Sequence, residues 1–151
     1  MRHVAYRFLH PVTRSTTMNM NDVLEASKPL PPAPHLLHID AEDTAALILA
    51  TLMVPEIRVT RVASVAAAEA LLQQQTFALI VLDPDLPDGD GQHVTDALRE
   101  RGVHTPVLLY SARQPSLHHQ AHAFLPKPWT SPRQLWQAVC RLLEMDLAAM
   151  A

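Results

Sequence analysis

The sequence predicts an α/β fold: a parallel sheet covered by helices on both faces. Three observations carry this. From residue 35 onward, short apolar or β-branched runs alternate with stretches at helical spacing. The clearest run, Phe77–Leu82, has no polar alternation, as expected of a central strand buried on both faces. Polar groups recur where the apolar runs end, and ligands in such sheets bind beyond the carboxyl ends of the strands.

The elements follow in order. Leu36-Leu37-His38-Ile39 is a short apolar run ending in acid and predicts a first strand. Asp43–Met53 is rich in Ala and Leu at helical spacing and is stopped by Pro55. Ile57–Val62 is β-branched and predicts a strand. Ser64 is a candidate cap for a helix carrying Ala67, Ala70, Leu71 and Gln74. After Phe77–Leu82 comes a helix over Gly91–Arg101, closed by Gly102. Pro106–Tyr110 and His122–Leu125 predict the last two strands. Ser131, with Pro132 in the first turn, opens a helix that reaches Met145.

The chain has 151 residues, of which 48% are hydrophobic and 18% are charged, so it can bury a sizeable core. Its formal charge of −3 argues against a nucleic-acid partner, since phosphate contacts need clustered Lys and Arg. A lone Cys140 excludes a disulfide framework or a cysteine zinc ribbon and fits a reducing compartment. The longest apolar stretch, near Ala45–Val54, is broken by Thr51 and is too short to span a bilayer. A cytoplasmic protein without a membrane partner is expected. Residues 1–34 hold Arg2, Arg7, Arg14, a Ser/Thr cluster and then Pro29, Pro31, Pro32 and Pro34; they predict a Pro-rich disordered tail ahead of a domain at 35–151.

No glycine-rich phosphate loop occurs, which argues against a flavin or nucleotide site on this fold. What remains are acids and a few polar groups at strand ends: Asp40 and Glu42, Asp83 with Asp85, Ser111, and Lys127. Crowded carboxylates repel unless a hard cation sits among them, and oxygen ligands suit Mg²⁺. A lysine and a serine hydroxyl can neutralise phosphoryl oxygens, and an aspartate can itself accept a phosphoryl group. Each residue also has a plainer reading. Asp83 is a turn acid, Asp40 a helix cap, and Lys127 a surface lysine. His118 and His122 sit in a surface turn rather than a metal cluster. Trp129 and Trp136 pack, an exposed Trp129 being a docking residue instead, and Cys140 is inert core.

Together the segments D-x-x-L-P-D-G-D-G at Asp83–Gly91, Ser111-Ala112 and F-L-P-K-P at Phe124–Pro128 resemble the receiver domain of two-component response regulators. The resemblance runs from about Leu36 to Leu143. It implies a flavodoxin-like three-layer sandwich with a five-stranded parallel sheet in the order 2-1-3-4-5. It also implies Asp83 as phosphoacceptor, Mg²⁺ held by Asp40, Asp83 and the backbone carbonyl of Asp85, phosphate contacts from Lys127 and Ser111, and switching through Ser111 and Phe124. The Lys127–Pro128 bond is implied to be cis. The sequence departs from the family's pattern in three places. Ala41 stands where the second member of the acidic pair is expected, leaving Glu42 or Asp85 to compensate and Mg²⁺ binding weak. The stretch from Ser111 to Lys127 is short, which implies a fourth helix that is short or irregular. His122-Ala123 replaces the Gly-Ala pair common before the last strand.

The expected function is a stand-alone receiver that takes a phosphoryl group on Asp83 from a histidine kinase or phosphotransfer protein. It would signal by binding an unidentified downstream protein, with a homodimer as one form. It would not be an enzyme in the usual sense, beyond self-catalysed phosphotransfer and dephosphorylation. The alternative is a degenerate receiver that works purely as an interaction module, without phosphorylation.

Overall fold

Leu79–Leu82 (β3) buries all four side chains, which requires a layer of structure on each side of it. In the computed structural model, β3 is the middle strand of a five-stranded parallel sheet in the order β2-β1-β3-β4-β5. The neighbours are His35–Ile39 (β1), Arg58–Val62 (β2), Val107–Ser111 (β4) and Ala123–Pro126 (β5). This is the flavodoxin-like order 2-1-3-4-5 expected from the sequence. The described residues are 19–21, 32–114 and 121–150, with side chains through Glu144. The chain divides into two units, Met1–Pro32 and Ala33–Ala151, and the sheet lies in the second. The expected tail thus falls largely outside the described residues.

Alternation along each strand feeds two cores. Leu36, Leu79, Val81, Leu108 and Tyr110 pack with Ala45, Leu49 and Met53 of Asp43–Met53 (α1) and with Leu135, Val139 and Leu142 of Pro132–Met150 (α4). On the other face, Leu37, Ile39, Ile80, Leu82 and Leu109 pack with Ala68 and Leu72 of Val65–Gln74 (α2) and with Val94 and Leu98 of Gln92–Glu100 (α3). Trp136 is partly buried against the first core, whereas Trp129 is 82% exposed. No helix among the described residues is long and apolar enough to cross a membrane.

Several element ends differ from expectation for local reasons. β2 starts at Arg58 because the buried Ile57 instead closes the turn after α1, its N–H donating to Met53 O. β3 starts at Leu79, and the Phe77 ring packs against the His35 ring, centroids 4.7 Å apart and planes tilted by 58°. β5 runs one residue further, to Pro126, at the sheet edge, where a missing donor is tolerated. His122 stays outside the strand, and its Nδ1 accepts the Val107 N–H at 3.0 Å. Between β4 and β5 the described residues contain no helix, and residues 115–120, including His118, lie outside the described residues.

The helix starts are well provided with acceptors. Ser64 Oγ accepts from Ala67 N, as expected, but the Asp88 carboxylate also accepts from Val65 N at 2.8 Å and Ala66 N at 3.0 Å. The adjacent Ser64 and the sequence-distant Asp88 therefore both supply acceptors for the unpaired donors of α2. At α4, Ser131 Oγ accepts from Gln134 N while Gln134 Oε1 accepts from Ser131 N, a reciprocal capping box.

Candidate functional site

Each candidate side chain ends a strand or follows one within a few residues, and the parallel ladder sets the level at which it leaves the sheet. The ladder continues one residue past the strands: Asp40 N donates to Val62 O, Asp83 N to Ile39 O, and Lys127 N to Ser111 O. Asp40, Asp83 and Lys127 therefore leave β1, β3 and β5 at the same end of the sheet. Lys127 Nζ lies 2.7 Å from Asp40 Oδ2, 3.0 Å from Asp83 Oδ2 and 3.1 Å from Glu42 Oε2. One ammonium thus holds three carboxylates that would otherwise repel each other.

The remaining carboxylate oxygens are also engaged. Asp40 Oδ1 accepts from Glu42 N at 2.9 Å, and Asp83 Oδ1 accepts from Asp85 N at 3.0 Å. The Asp40 side chain is fully buried, and His38 Nε2 lies 3.2 Å from its Oδ2. Burial alone would raise the Asp40 carboxyl; hydrogen bonds from His38, Lys127 and the Glu42 N–H outweigh it and hold Asp40 below the usual carboxylate range. Burial likewise works against the Lys127 ammonium, but the hydrogen bonds and charges of Asp40 and Asp83 carry it well above the ordinary lysine value. Tyr110 lies beneath, its ring centroid 5.1 Å from Lys127 Nζ, and burial pushes its phenol upward.

The structure thus brings Asp40, Glu42, Asp83 and Lys127 together. Ser111 is buried at the end of β4, where its Oγ accepts the Arg113 N–H at 3.2 Å. The Asp85 carboxylate instead turns outward, 3.7 Å from Arg113 Nη2. Phe124 is partly buried and packs against the α2/α3 core. Ala41 is exposed and brings no carboxylate. The Lys127–Pro128 bond is cis. Gly91 closes the loop after Asp83: its N–H donates to Pro84 O at 2.8 Å, and a Cβ there would stand 3.0 Å from Pro84 Cα and 2.8 Å from Leu82 Cδ1.

Sequence reasoning gave no site role to His38, Tyr110 or Arg113. His38 carried a usable signal: a histidine inside an apolar strand, two residues before Asp40, shares its face. Tyr110 carried none, since an aromatic residue in a buried strand reads only as core.

The chain belongs to the response regulator receiver domain family, matched over residues 36–140. It is 42% identical over 69 residues to Transcriptional regulatory protein TctD of Salmonella typhimurium, covering 42% of this chain and 31% of TctD. It is 35% identical over 109 residues to Protein PetR of Rhodobacter capsulatus, covering 68% of this chain and 45% of PetR. The chain thus spans less than half the length of these curated relatives. Among solved structures, the receiver domain of a LuxO repressor protein from Vibrio parahaemolyticus aligns with a TM-score of 0.72 at 21% identity, covering 78% of this chain and 95% of that one. The receiver domain of a Pseudomonas aeruginosa sensor histidine kinase, with a magnesium ion in its active site cleft, aligns at 0.67 and 21% identity over 75% and 99% of the two chains. Receiver domains bind Mg²⁺ in this cleft and interact with histidine kinases and phosphotransfer proteins.

Among the described residues no His, Cys, Asp or Glu cluster has the form of a preassembled metal centre, because the oxygens face the ammonium. The donor set is nevertheless all hard oxygen, the chemistry that Mg²⁺ accepts, so these residues fit the ion.

Proposed function

We propose that Asp83 accepts a phosphoryl group from a phosphohistidine of a histidine kinase or phosphotransfer protein, and that the modified chain signals by binding another protein. One observation carries the reading: Lys127 Nζ stands 3.0 Å from Asp83 Oδ2 at the carboxyl end of the sheet. An Asp83 carboxylate oxygen attacks phosphorus. The P–N bond to the donor imidazole breaks, and its electron pair returns to the nitrogen, which takes up a proton. Hydrolysis later forms a new P–O bond from water and releases inorganic phosphate and the free carboxylate. Lys127 neutralises charge that builds on the phosphoryl oxygens, and the Ser111 hydroxyl donates to one of them. Asp40, Asp83 and the Asp85 carbonyl, with Glu42 in the place that Ala41 leaves without a carboxylate, would hold Mg²⁺, which supplies further positive charge when bound. Without a carboxylate at Ala41, that binding is weak.

The test is intact-mass spectrometry after incubation with acetyl phosphate, with and without Mg²⁺. A single Mg²⁺-dependent, hydroxylamine-sensitive adduct that is absent in Asp83→Asn supports the assignment. An adduct retained in that variant moves the acceptor elsewhere. A second reading, an interaction module without phosphorylation, is favoured by Ala41 and by the Lys127 ammonium already satisfied by three carboxylates. It predicts a folded chain that gains no adduct even with a cognate kinase.

A further inference from the structure

His38 is fully buried near the carboxyl end of β1, yet its Nδ1 has no hydrogen-bond partner. A buried polar atom left unpaired is costly, and an apolar side chain would avoid the cost at a strand position flanked by Leu37 and Ile39. The other ring nitrogen accounts for its presence. Asp40 is an ionised acceptor, so the contact between His38 Nε2 and Asp40 Oδ2 places a proton on Nε2. That Oδ2 also takes the shortest of the three Lys127 contacts, at 2.7 Å. With Glu42 N–H on Oδ1, Asp40 receives three donors and has little freedom to rotate.

We propose that His38 is a positioning residue: through Nε2–H it locks the Asp40 carboxylate, and through Asp40 it aims the Lys127 ammonium at Asp83. The chain runs from β1 to β5 and back to β3, and it accepts an unpaired Nδ1 in return for a fixed ammonium. Its role in phosphoryl uptake rests on the function proposed above; the aiming of Lys127 does not.

Two side chains separate the nitrogens by reach. The amide nitrogen of Gln falls where Nε2 of His lies, and that of Asn falls where Nδ1 lies. His38→Gln therefore keeps the donor to Asp40, His38→Asn moves it away, and His38→Leu removes it. Lys127 has an internal reference, because Lys28 is the only other lysine in the sequence. Brief labelling of the full chain with an amine-reactive ester, read by peptide mass spectrometry, gives the Lys127 rate relative to Lys28.

In the wild type, Lys127 is expected to react slowly, its ammonium being held by three carboxylates. The expected result is a rise of about tenfold in His38→Leu and His38→Asn, the scale of one hydrogen bond to a charged group, with His38→Gln close to wild type. Phosphoryl uptake from acetyl phosphate falls about tenfold in the first two variants and recovers in His38→Gln. Equal labelling across all four proteins overturns the proposal, as does His38→Gln behaving like His38→Asn. If His38→Leu does not fold, the Gln and Asn pair carries the same decision. If labelling responds as expected while no protein gains an adduct, positioning stands and the phosphoacceptor reading fails.

Discussion

Lys127 Nζ and Asp83 Oδ2 lie 3.0 Å apart although 44 residues separate them in sequence. The contact exists because β3 and β5 flank β4 in one parallel sheet and each chain leaves its strand at the same level. The same ammonium carries Asp40 and Glu42, so the electrostatics of four residues hinge on one cation.

Removing that cation should be costly over a defined pH range. Lys127→Met leaves three carboxylates facing one another and should lower stability at neutral pH by about 3 kcal/mol, as for a buried ion pair that loses one partner. The folded Asp40 carboxyl titrates below its ordinary 3.8, so its contribution is present above that pH and lost as acid protonates it through its folded value. The folded Lys127 titrates above its ordinary 10.5, so its contribution is present below that pH and lost as alkali deprotonates it. Urea titrations of both proteins across pH should show a gap that is widest between these limits and narrows outside them.

Mg²⁺ affinity should respond in opposite directions to two neighbouring changes. Ala41→Asp restores a carboxylate at an exposed position and should tighten binding about tenfold, whereas Glu42→Gln should weaken it by a similar factor. Calorimetric titration with MgCl₂ reads both. An unchanged affinity in Ala41→Asp would mean that Glu42 or Asp85 already fills that place.

Gly91→Ala should destabilise the fold by about 1–3 kcal/mol, the usual range for overpacking. The added Cβ meets Pro84 Cα at 3.0 Å, a backbone atom that cannot swing aside, as well as the Leu82 side chain. Because Pro84 follows Asp83 directly, phosphoryl uptake should fall along with the urea midpoint.

Asp88→Ala removes the acceptor for two N–H groups of α2. Hydrogen bonds from the Ala66 and Val65 N–H groups hold the Asp88 carboxyl below its ordinary 3.8. Its contribution is therefore present above that pH and lost as pH falls through the folded value. Thermal melts should show the variant less stable than wild type at pH 7, with the difference closing in acid. A difference that persists in acid would assign the effect to something other than the cap.

Much of the fold was legible because strand and helix periods are local. Phe77–Leu82 announced a strand with two covered faces, found over Leu79–Leu82, and Ser64 and Ser131 marked helix starts that the structure bears out. Where expectation slipped, a tertiary contact had intervened. Phe77 left the strand for the His35 ring, and Ile57 went to the turn after α1. The capping role of Asp88 left no local signal, because the helix it serves begins 23 residues earlier.

The sequence by itself determined the alternation of elements, the family to which the chain belongs, and the acids and lysine that gather at the strand ends. These are written in neighbouring residues, as apolar runs, caps and short motifs. Only the tertiary structure decided how those groups share their charges. Asp40 and Lys127 meet across 87 positions, and Asp83 joins them only because β3 takes the central place. Whether Glu42 faces the ammonium while Asp85 turns out to Arg113, and whether His38 spends one nitrogen on Asp40 and leaves the other unpaired, depends on distances of a few ångströms between strands. Electrostatic interaction falls with distance and with access to water, and both are properties of the packed sheet.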